Sequence, residues 1–371
     1  MAFALPVWLA VQDELLGRDQ RDWATPSCFD AFDDAALFQM FHLTRPCIAF
    51  ITDLVRIRTK TVPADKPDTT VDAAVMVALN YYAHGVLSPA ILQRVGASDA
   101  ECGAMLRAVS AAVSDMSSQF ISFPATADDR AKLASKVEKL CGIPDVLGAM
   151  APAHFMIRAS PYEKSAFRSF VNTLGYTSVA SQVVCDPDGN ILSVDTCCVG
   201  STYAQDMWES SLIGREIERD VHGPYWIVGG TGYHLSKHVL TPVSDPASDI
   251  EVRFNKAHAK IHNVVWRTLG TMRRRFRCLM QLGFAREDLL KKQSNIIKTC
   301  CVLHNIAKKF SVPPPPVVGK IEPPFPAKQL SAPTQSNPEA MKARQKLIED
   351  NREAVLRVLE SLSCNSAEDG V

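Results

Sequence analysis

Several things are missing from this sequence, and each absence closes off a class of protein. No run approaches the roughly 18 consecutive apolar residues that a membrane-spanning helix needs, so a membrane role is not expected. There is no CxxC pair and no Cys/His spacing of a zinc module, although the chain has 11 cysteines. Scattered in this way they read as reduced, mostly buried thiols of an intracellular protein. There is no excess charge either: 40 Lys and Arg balance 40 Asp and Glu. Any affinity for nucleic acid must therefore come from a local patch and not from a global pull. No internal repeat is present. The opening Met1–Val11 is apolar but lacks a basic start, and the acids Asp13 and Glu14 follow after Gln12. It reads as the beginning of an amphipathic helix and not as a signal peptide. What remains is a chain of 371 residues, 47% hydrophobic and 22% charged, enough for two domains of a soluble globular protein.

The first 142 residues carry helical signals. Asp33 or Asp34 caps a helix through Phe41, and Thr44 with Pro46 starts another bearing Ile48, Ile51, Leu54 and Val55 at helical spacing. Asp68 or Thr69 opens a third. Ser88-Pro89 is a cap with proline at the first helical position, beginning a short helix that ends at Gly96. Ser98 caps the next, through about Met116, and Thr126 with Asp129 opens one ending near Gly142. The pair of helices over 88–116 has helix-turn-helix spacing. The period then changes. Leu147–Ala159 is a strand candidate, Val179–Asp195 reads as a hairpin turning on Asp186-Pro187-Asp188-Gly189, and Trp226–Gly229 is a short buried strand. Helical spacing returns over Phe254–Leu282 and over about Arg286–Phe310. The expected architecture is an α/β layer fold over 143–311, preceded by a helical domain over 1–142. After it come a proline-rich segment over 312–338, with Pro313–Pro316 in a row, read as a linker or alternatively as a ligand for a domain that reads polyproline II, and an amphipathic helix over 339–363. Leu347, Ala354, Val355, Val358 and Leu359 form the apolar stripe of that helix.

Four strings in order carry a resemblance. They are Gly148–His154; Gly200-Ser201-Thr202-Tyr203-Ala204 with Ser210-Ser211-Leu212; Gly229-Gly230-Thr231-Gly232-Tyr233 with Leu240-Thr241-Pro242; and a long C-terminal signature. That signature runs from Phe254-Asn255-Lys256-Ala257-His258 through Asn263, Arg267 and Arg275-Phe276-Arg277-Cys278-Leu279 to Cys300-Cys301-Val302-Leu303-His304-Asn305. Together they resemble the transposase-derived nucleases of the PIF/Harbinger family, in the DDE superfamily. The resemblance implies a ribonuclease H-like fold and phosphodiester cleavage assisted by a divalent metal such as Mg2+. It also implies a Myb/SANT-like partner protein. Such enzymes hold two hard ions roughly 3.5–4 Å apart with Asp and Glu oxygens. The positions where the resemblance places those acids read Ala151, Ala204, Gly230 and Trp266. None offers a hard donor, so no catalytic residue, no metal ligand and no cofactor is expected.

Neighbouring acids are poor substitutes. If 204–206 ran as a strand, Asp206 would share the face of Ala204 but lie roughly 6–7 Å along it. Asp195 sits in the preceding strand, Asp186 and Asp188 are turn residues, and His154 reads as a hydrogen-bonded core histidine.

The segment 252–277 holds Arg253, Lys256, Lys260, Arg267, Arg273, Arg274, Arg275 and Arg277 and no acid. These are the candidate nucleic-acid-binding residues, and the Arg run is a weak nuclear-import signal. In the 88–116 pair, Asp99 and Glu101 suit the helix dipole but repel phosphate, which favours a packing helix over a DNA reader. The expectation is a nuclear protein, present also in the cytoplasm, that binds DNA or a DNA-binding partner without cutting. The alternatives are an active metal-dependent endonuclease and a protein-interaction scaffold.

Overall fold

The computed structural model describes residues 27–60, 69–158, 167–195, 198–283, 289–316 and 337–368. The opening stretch Met1–Val11 and the proline-rich chain after Pro316 lie outside the described residues. Along the chain the elements are α1 (Asp34–Phe41), α2 (Arg45–Lys60), α3 (Thr69–His84), α4 (Pro89–Val95), α5 (Asp99–Asp115), α6 (Ser117–Phe120), α7 (Ala127–Cys141), β1 (Val146–Met156), β2 (Ser178–Cys185), β3 (Ile191–Val194) and β4 (Cys198–Val199). Then come α8 (Ala204–Ser210), α9 (Leu212–Glu218), β5 (Trp226–Val228), β6 (Val239–Leu240), α10 (Asp249–Arg275), α11 (Leu289–Lys309), α12 (Pro338–Asp350) and α13 (Arg352–Glu368).

Two compact units emerge, and they interleave in sequence. The first comprises Met1–Ile121, Arg275–Cys278 and Asn295–Pro315; the second takes Ser122–Arg274, Leu279–Ser294 and Pro316–Val371. In the helical unit the caps obey residue chemistry. The Asp33 carboxylate accepts from Ala36 N at 2.7 Å, and the Ser88 side chain caps α4, which has Pro89 in its first turn. Ser98 and Glu101 form a reciprocal capping box. Leu37, Phe41, Ile48, Ile51, Leu79, Tyr82 and Ile91 are almost fully buried, each contributing about 1.5–3 kcal/mol of transfer free energy. The C-terminal signature returns to this core: Thr299 Oγ1 donates to Ser110 O at 3.0 Å and Asn305 Nδ2 to Phe120 O at 2.9 Å. Arg275 is anchored here too. Its guanidinium donates to the carbonyls of His42 (2.5 Å), Val312 (2.9 Å) and Pro313 (3.0 Å).

The second unit is built on a mixed sheet ordered β3-β2-β1-β5-β6, with β4 also paired to β2. β1, β2 and β3 are antiparallel neighbours, whereas β5 and β6 run parallel to β1. The β2–β3 turn is held by Asp186, whose carboxylate accepts from Asp188 N, Asn190 N and Asn190 Nδ2 at 2.6–2.9 Å. On one face Ala149 and Val228 pack with Phe254, Ala257, Ile261 and Val264 of α10, with Val137 and Cys141 of α7, and with Ala340, Ile348 and Val355 of α12 and α13. Met150, Val184 and Ile227 pack in a second cluster, with Ala204 and Trp208 of α8 and Ile213 and Ile217 of α9.

Several expectations change. β1 ends at Met156 and not at Ala159, and α10 ends at Arg275, succeeded by a 3-10 turn over Arg277–Met280. α7 belongs to the sheet unit and not to the helical one, because its apolar residues Val137 and Cys141 pack against the strands. The C-terminal segment is two helices, broken at Asn351, whose Nδ2 bonds Leu347 O at 2.9 Å. Helices α8 and α9 lie where the sequence offered no clear period. The described cysteines are free thiols, most of them buried.

α7 ends at Gly142, which has φ +78°. A Cβ there would lie 2.8 Å from the backbone of Val355 in α13. Gly175 has φ +83° with open space around it. Gly142→Ala is therefore expected to cost roughly 2–4 kcal/mol, strain plus overpacking, and Gly175→Ala only about 1 kcal/mol. Urea unfolding of both variants measures the difference, and equal losses would show that the Gly142–Val355 approach is not tight.

Candidate functional site

Four rings step along the inner side of α10 at four-residue intervals: Phe254, His258, His262 and Trp266. Successive centroids lie 6.1, 5.8 and 5.9 Å apart. An interval of four returns to nearly the same helix face, so one stripe of rings runs beside the ends of β5 and β6. His258 Nε2 is 3.1 Å from both Gly229 O and Leu240 O. Both partners are acceptors, so Nε2 carries the proton, and burial favours the neutral Nε2–H form of the ring. Next to it, Asn255 clasps the loop after β6: its Nδ2 donates to Val243 O at 2.8 Å and its Oδ1 accepts from Val243 N at 2.9 Å. His262 hydrogen-bonds the Met150 backbone on β1. Burial lowers the pKa of His258 to about 3, with a further push from His262, and burial lowers His262 to about 4. The spacing of these two histidines was visible in the sequence, but nothing there distinguished them from core residues.

Three of the four positions where the resemblance places acids belong to this region. Ala151 is fully buried on β1 and, two residues on, shares the strand face of Ala149, which packs against α10. The β1–β5 register pairs Ala149 with Val228, and Gly230 follows two residues beyond the end of β5. Trp266 stacks edge-on against His262. The fourth, Ala204, belongs elsewhere. It is the first residue of α8 and packs with Met150, Trp208, Ile227 and Tyr233. The strand argument for Asp206 is corrected accordingly. Two residues on a helix are about 200° apart, and Asp206 is exposed while Ala204 is buried.

The site does not fit a pair of hard cations. A Cβ on Gly230 would stand 3.1 Å from His262 Cε1, so any side chain there requires the imidazole to give way. Methyl, hydrogen and indole supply no oxygen. Among the described residues no group of three or more His, Cys, Asp and Glu side chains is placed to hold a metal ion. His154 pairs through Nδ1 with Ser178 Oγ at 3.2 Å, and burial, with Arg273 adding to it, lowers its pKa to about 4. Tyr203, 47% exposed, faces outward.

The basic residues divide. Arg253, Lys256, Arg267, Arg274 and Arg277 are exposed. Arg253, Lys260, Arg267 and Arg274 recur every seven residues, so they share a stripe of α10 roughly 31 Å long. Lys260 is half-buried and donates to Val358 O at 3.4 Å. Arg273 and Arg275 leave the set: both are buried. Arg273 donates to His154 O at 2.7 Å and lies 5.4 Å from the Phe155 ring centre, and Arg275 holds the three carbonyls named above. A triplet of arginines on a helix necessarily points in three directions, and here two of them point inward. In the 88–116 segment, Arg94 lies over the Phe32 ring at 4.7 Å, and Glu101 is engaged by Ser98 N at 2.8 Å.

The three imidazoles set an acid limit. Their folded-state pKa values lie below the unfolded value near 6.5, so the fold holds the neutral form. Their contribution to stability is complete above about pH 6.5. It is lost as pH falls toward about 4 for His154 and His262 and about 3 for His258. NMR titration of the ring protons is expected to show His258 and His262 flat from neutrality to about pH 5; a midpoint near 6.5 for either would contradict their burial.

A family model for "DDE superfamily endonuclease" matches residues 153–305, beginning two residues after Ala151. The chain is 31% identical to "Putative nuclease HARBI1" of Rattus norvegicus over 324 residues, covering 86% of this chain and 92% of that protein. It is 29% identical to the protein of the same name in Homo sapiens over 348 residues, covering 93% and 98%. A more distant relative is the Arabidopsis thaliana protein "Antagonist of Like Heterochromatin Protein 1", 26% identical over 189 residues and 47% of each chain. No solved structure matches. With the DDE superfamily model matched over 153–305 and relatives aligned over most of its length, this chain belongs to the Harbinger transposase-derived nuclease family.

Proposed function

We propose that this protein is a silenced member of its family: a transposase-derived scaffold that seats no catalytic metal, cuts no phosphodiester bond and retains a DNA-contacting surface. The reading is supported by one observation: Ala151, Gly230 and Trp266 stand where the resemblance places acids, near the neutral ring of His262. Phosphodiester hydrolysis by this route needs hard oxygen donors to place the ions and to offset their charge. A buried imidazole with a lowered pKa and an indole do neither. We take the sheet order, three antiparallel strands continued by two parallel ones, to be a ribonuclease H-like core.

The heptad-spaced stripe of Arg253, Lys260, Arg267 and Arg274, with Lys256 beside it, is the surface we assign to nucleic-acid phosphates. Its span of roughly 31 Å is close to one turn of B-DNA. The helix pair α4–α5 supplies little, since Arg94 and Glu101 are engaged within the fold and acids open α5. DNA selectivity would then come from a partner of the Myb/SANT-like kind, in the nucleus and to a lesser degree the cytoplasm. The name of the Arabidopsis relative supports a chromatin-associated role.

Two assays test this together. With Mg2+ or Mn2+ the full chain is expected to leave supercoiled and linear duplex DNA intact; cutting abolished by chelator would establish an active endonuclease instead. On heparin or duplex DNA, the double variant Arg267→Glu/Arg274→Glu is expected to elute at lower salt, with the slope of log K against log salt reduced by about 2. Its unfolding midpoint should not move, since both side chains are exposed. Unchanged retention would remove the stripe from the account.

A further inference from the structure

The run Pro313–Pro316 takes no part in the site above, yet the fold presents it in an ordered way. α11 ends at Lys309, and the chain turns through Ser311 at φ 51°. Val312 N bonds back to Ala307 O at 2.9 Å. Phe310 packs on Phe50 with ring centres 5.2 Å apart. Val312 is buried, and the Arg275 guanidinium grips the carbonyls of Val312 and Pro313. The first residues of the run are thus held at a fixed exit point.

Proline chemistry sets the conformation of the run. Each ring locks φ near −65°, and each residue before a proline is held out of the helical region. Four in succession make a left-handed polyproline II helix, with three residues per turn and about 3.1 Å per residue. Such a helix has three edges. Pro313 and Pro316 share one edge, about 9 Å apart, and both are exposed; Pro314, on the second edge, is exposed too. Only Pro315, on the third, is buried. Domains that read this helix lay two adjacent edges on an aromatic-lined groove, and the P-x-x-P pair sets the spacing of its pockets. Here two adjacent edges face out and the third faces the protein. Because the conformation exists before binding, little ordering entropy opposes the contact.

We propose that Pro313–Pro316 is a docking ligand for a protein domain with an aromatic-lined, polyproline-reading groove. The test uses the full chain and three purified probes: an SH3 domain, a WW domain and profilin. At least one is expected to bind with saturation by calorimetry, and a synthetic decaproline peptide to compete. Pro313→Ala/Pro316→Ala is expected to weaken that binding about tenfold or more while leaving the unfolding midpoint unchanged, because both rings are exposed. This variant leaves the prolines beyond residue 317 in place, so binding that survives it would overturn the proposal. So would the absence of binding to all three probes.

Discussion

One imidazole organises the sheet unit. His258 reaches from α10 and donates its Nε2–H to a point between Gly229 O and Leu240 O, the carbonyls at the ends of β5 and β6. That contact requires a proton on Nε2, and burial, working against the pull of the two carbonyls toward the charged form, keeps the ring neutral. With it in place, Asn255 clasps the loop after β6, His262 comes against Met150 on β1, and Trp266 stands one turn later. The helix therefore lies on the sheet in the register that brings the DDE positions together, whether or not they carry acids. Positioning and chemistry are separable here: a hydrogen-bonded histidine and asparagine hold the geometry, and carboxylates would only use it.

This separation accounts for a chain that carries so much of the family pattern with Ala151, Gly230 and Trp266 where the resemblance places acids. Asn255, His258, Asn305 and the cysteine-leucine string of α11 stay because each has a structural partner. The Asn305 amide bonds Phe120 O; Cys300, Cys301 and Leu303 are fully buried; and Arg275 satisfies three carbonyls. Removing any of these leaves buried polar groups unpaired or a cavity, at a cost of roughly 1–3 kcal/mol or more. Acids at positions 151, 230 and 266 would carry no such load. A ring of like-charged carboxylates without its cations repels itself, and apolar replacements in a buried site relieve that repulsion.

Much of this was legible in the sequence, and the limits have physical causes. Helix starts were readable because Asp33, Ser88, Ser98 and Thr126 cap in the way their side chains dictate. The Asp-Gly hairpin was readable because its turn needs the left-handed conformation found at Gly189, φ 82°. The place of Ala204 was not: α8 is seven residues long, too short to show a period, so it passed for extended chain. Nor was the division among the arginines. Composition counts Arg273 and Arg275 as surface charge, and only the fold shows their guanidiniums facing backbone carbonyls. The interleaving of the two units was hidden as well, because the helical spacing read over Phe254–Leu282 runs straight through Arg275–Cys278, which belong to the other unit.

The claim on which all else turns is that the space between β1, the end of β5 and α10 is filled by neutral rings and cannot hold a divalent cation. Calorimetric titration of Mn2+ into the purified full chain tests it without knowledge of any substrate. The account predicts no saturable heat beyond that of dilution, and none in a His262→Ala variant, which opens space but adds no donor. Stoichiometric binding in the parent chain, abolished by a change at Ala151, Gly230 or Trp266, would contradict it.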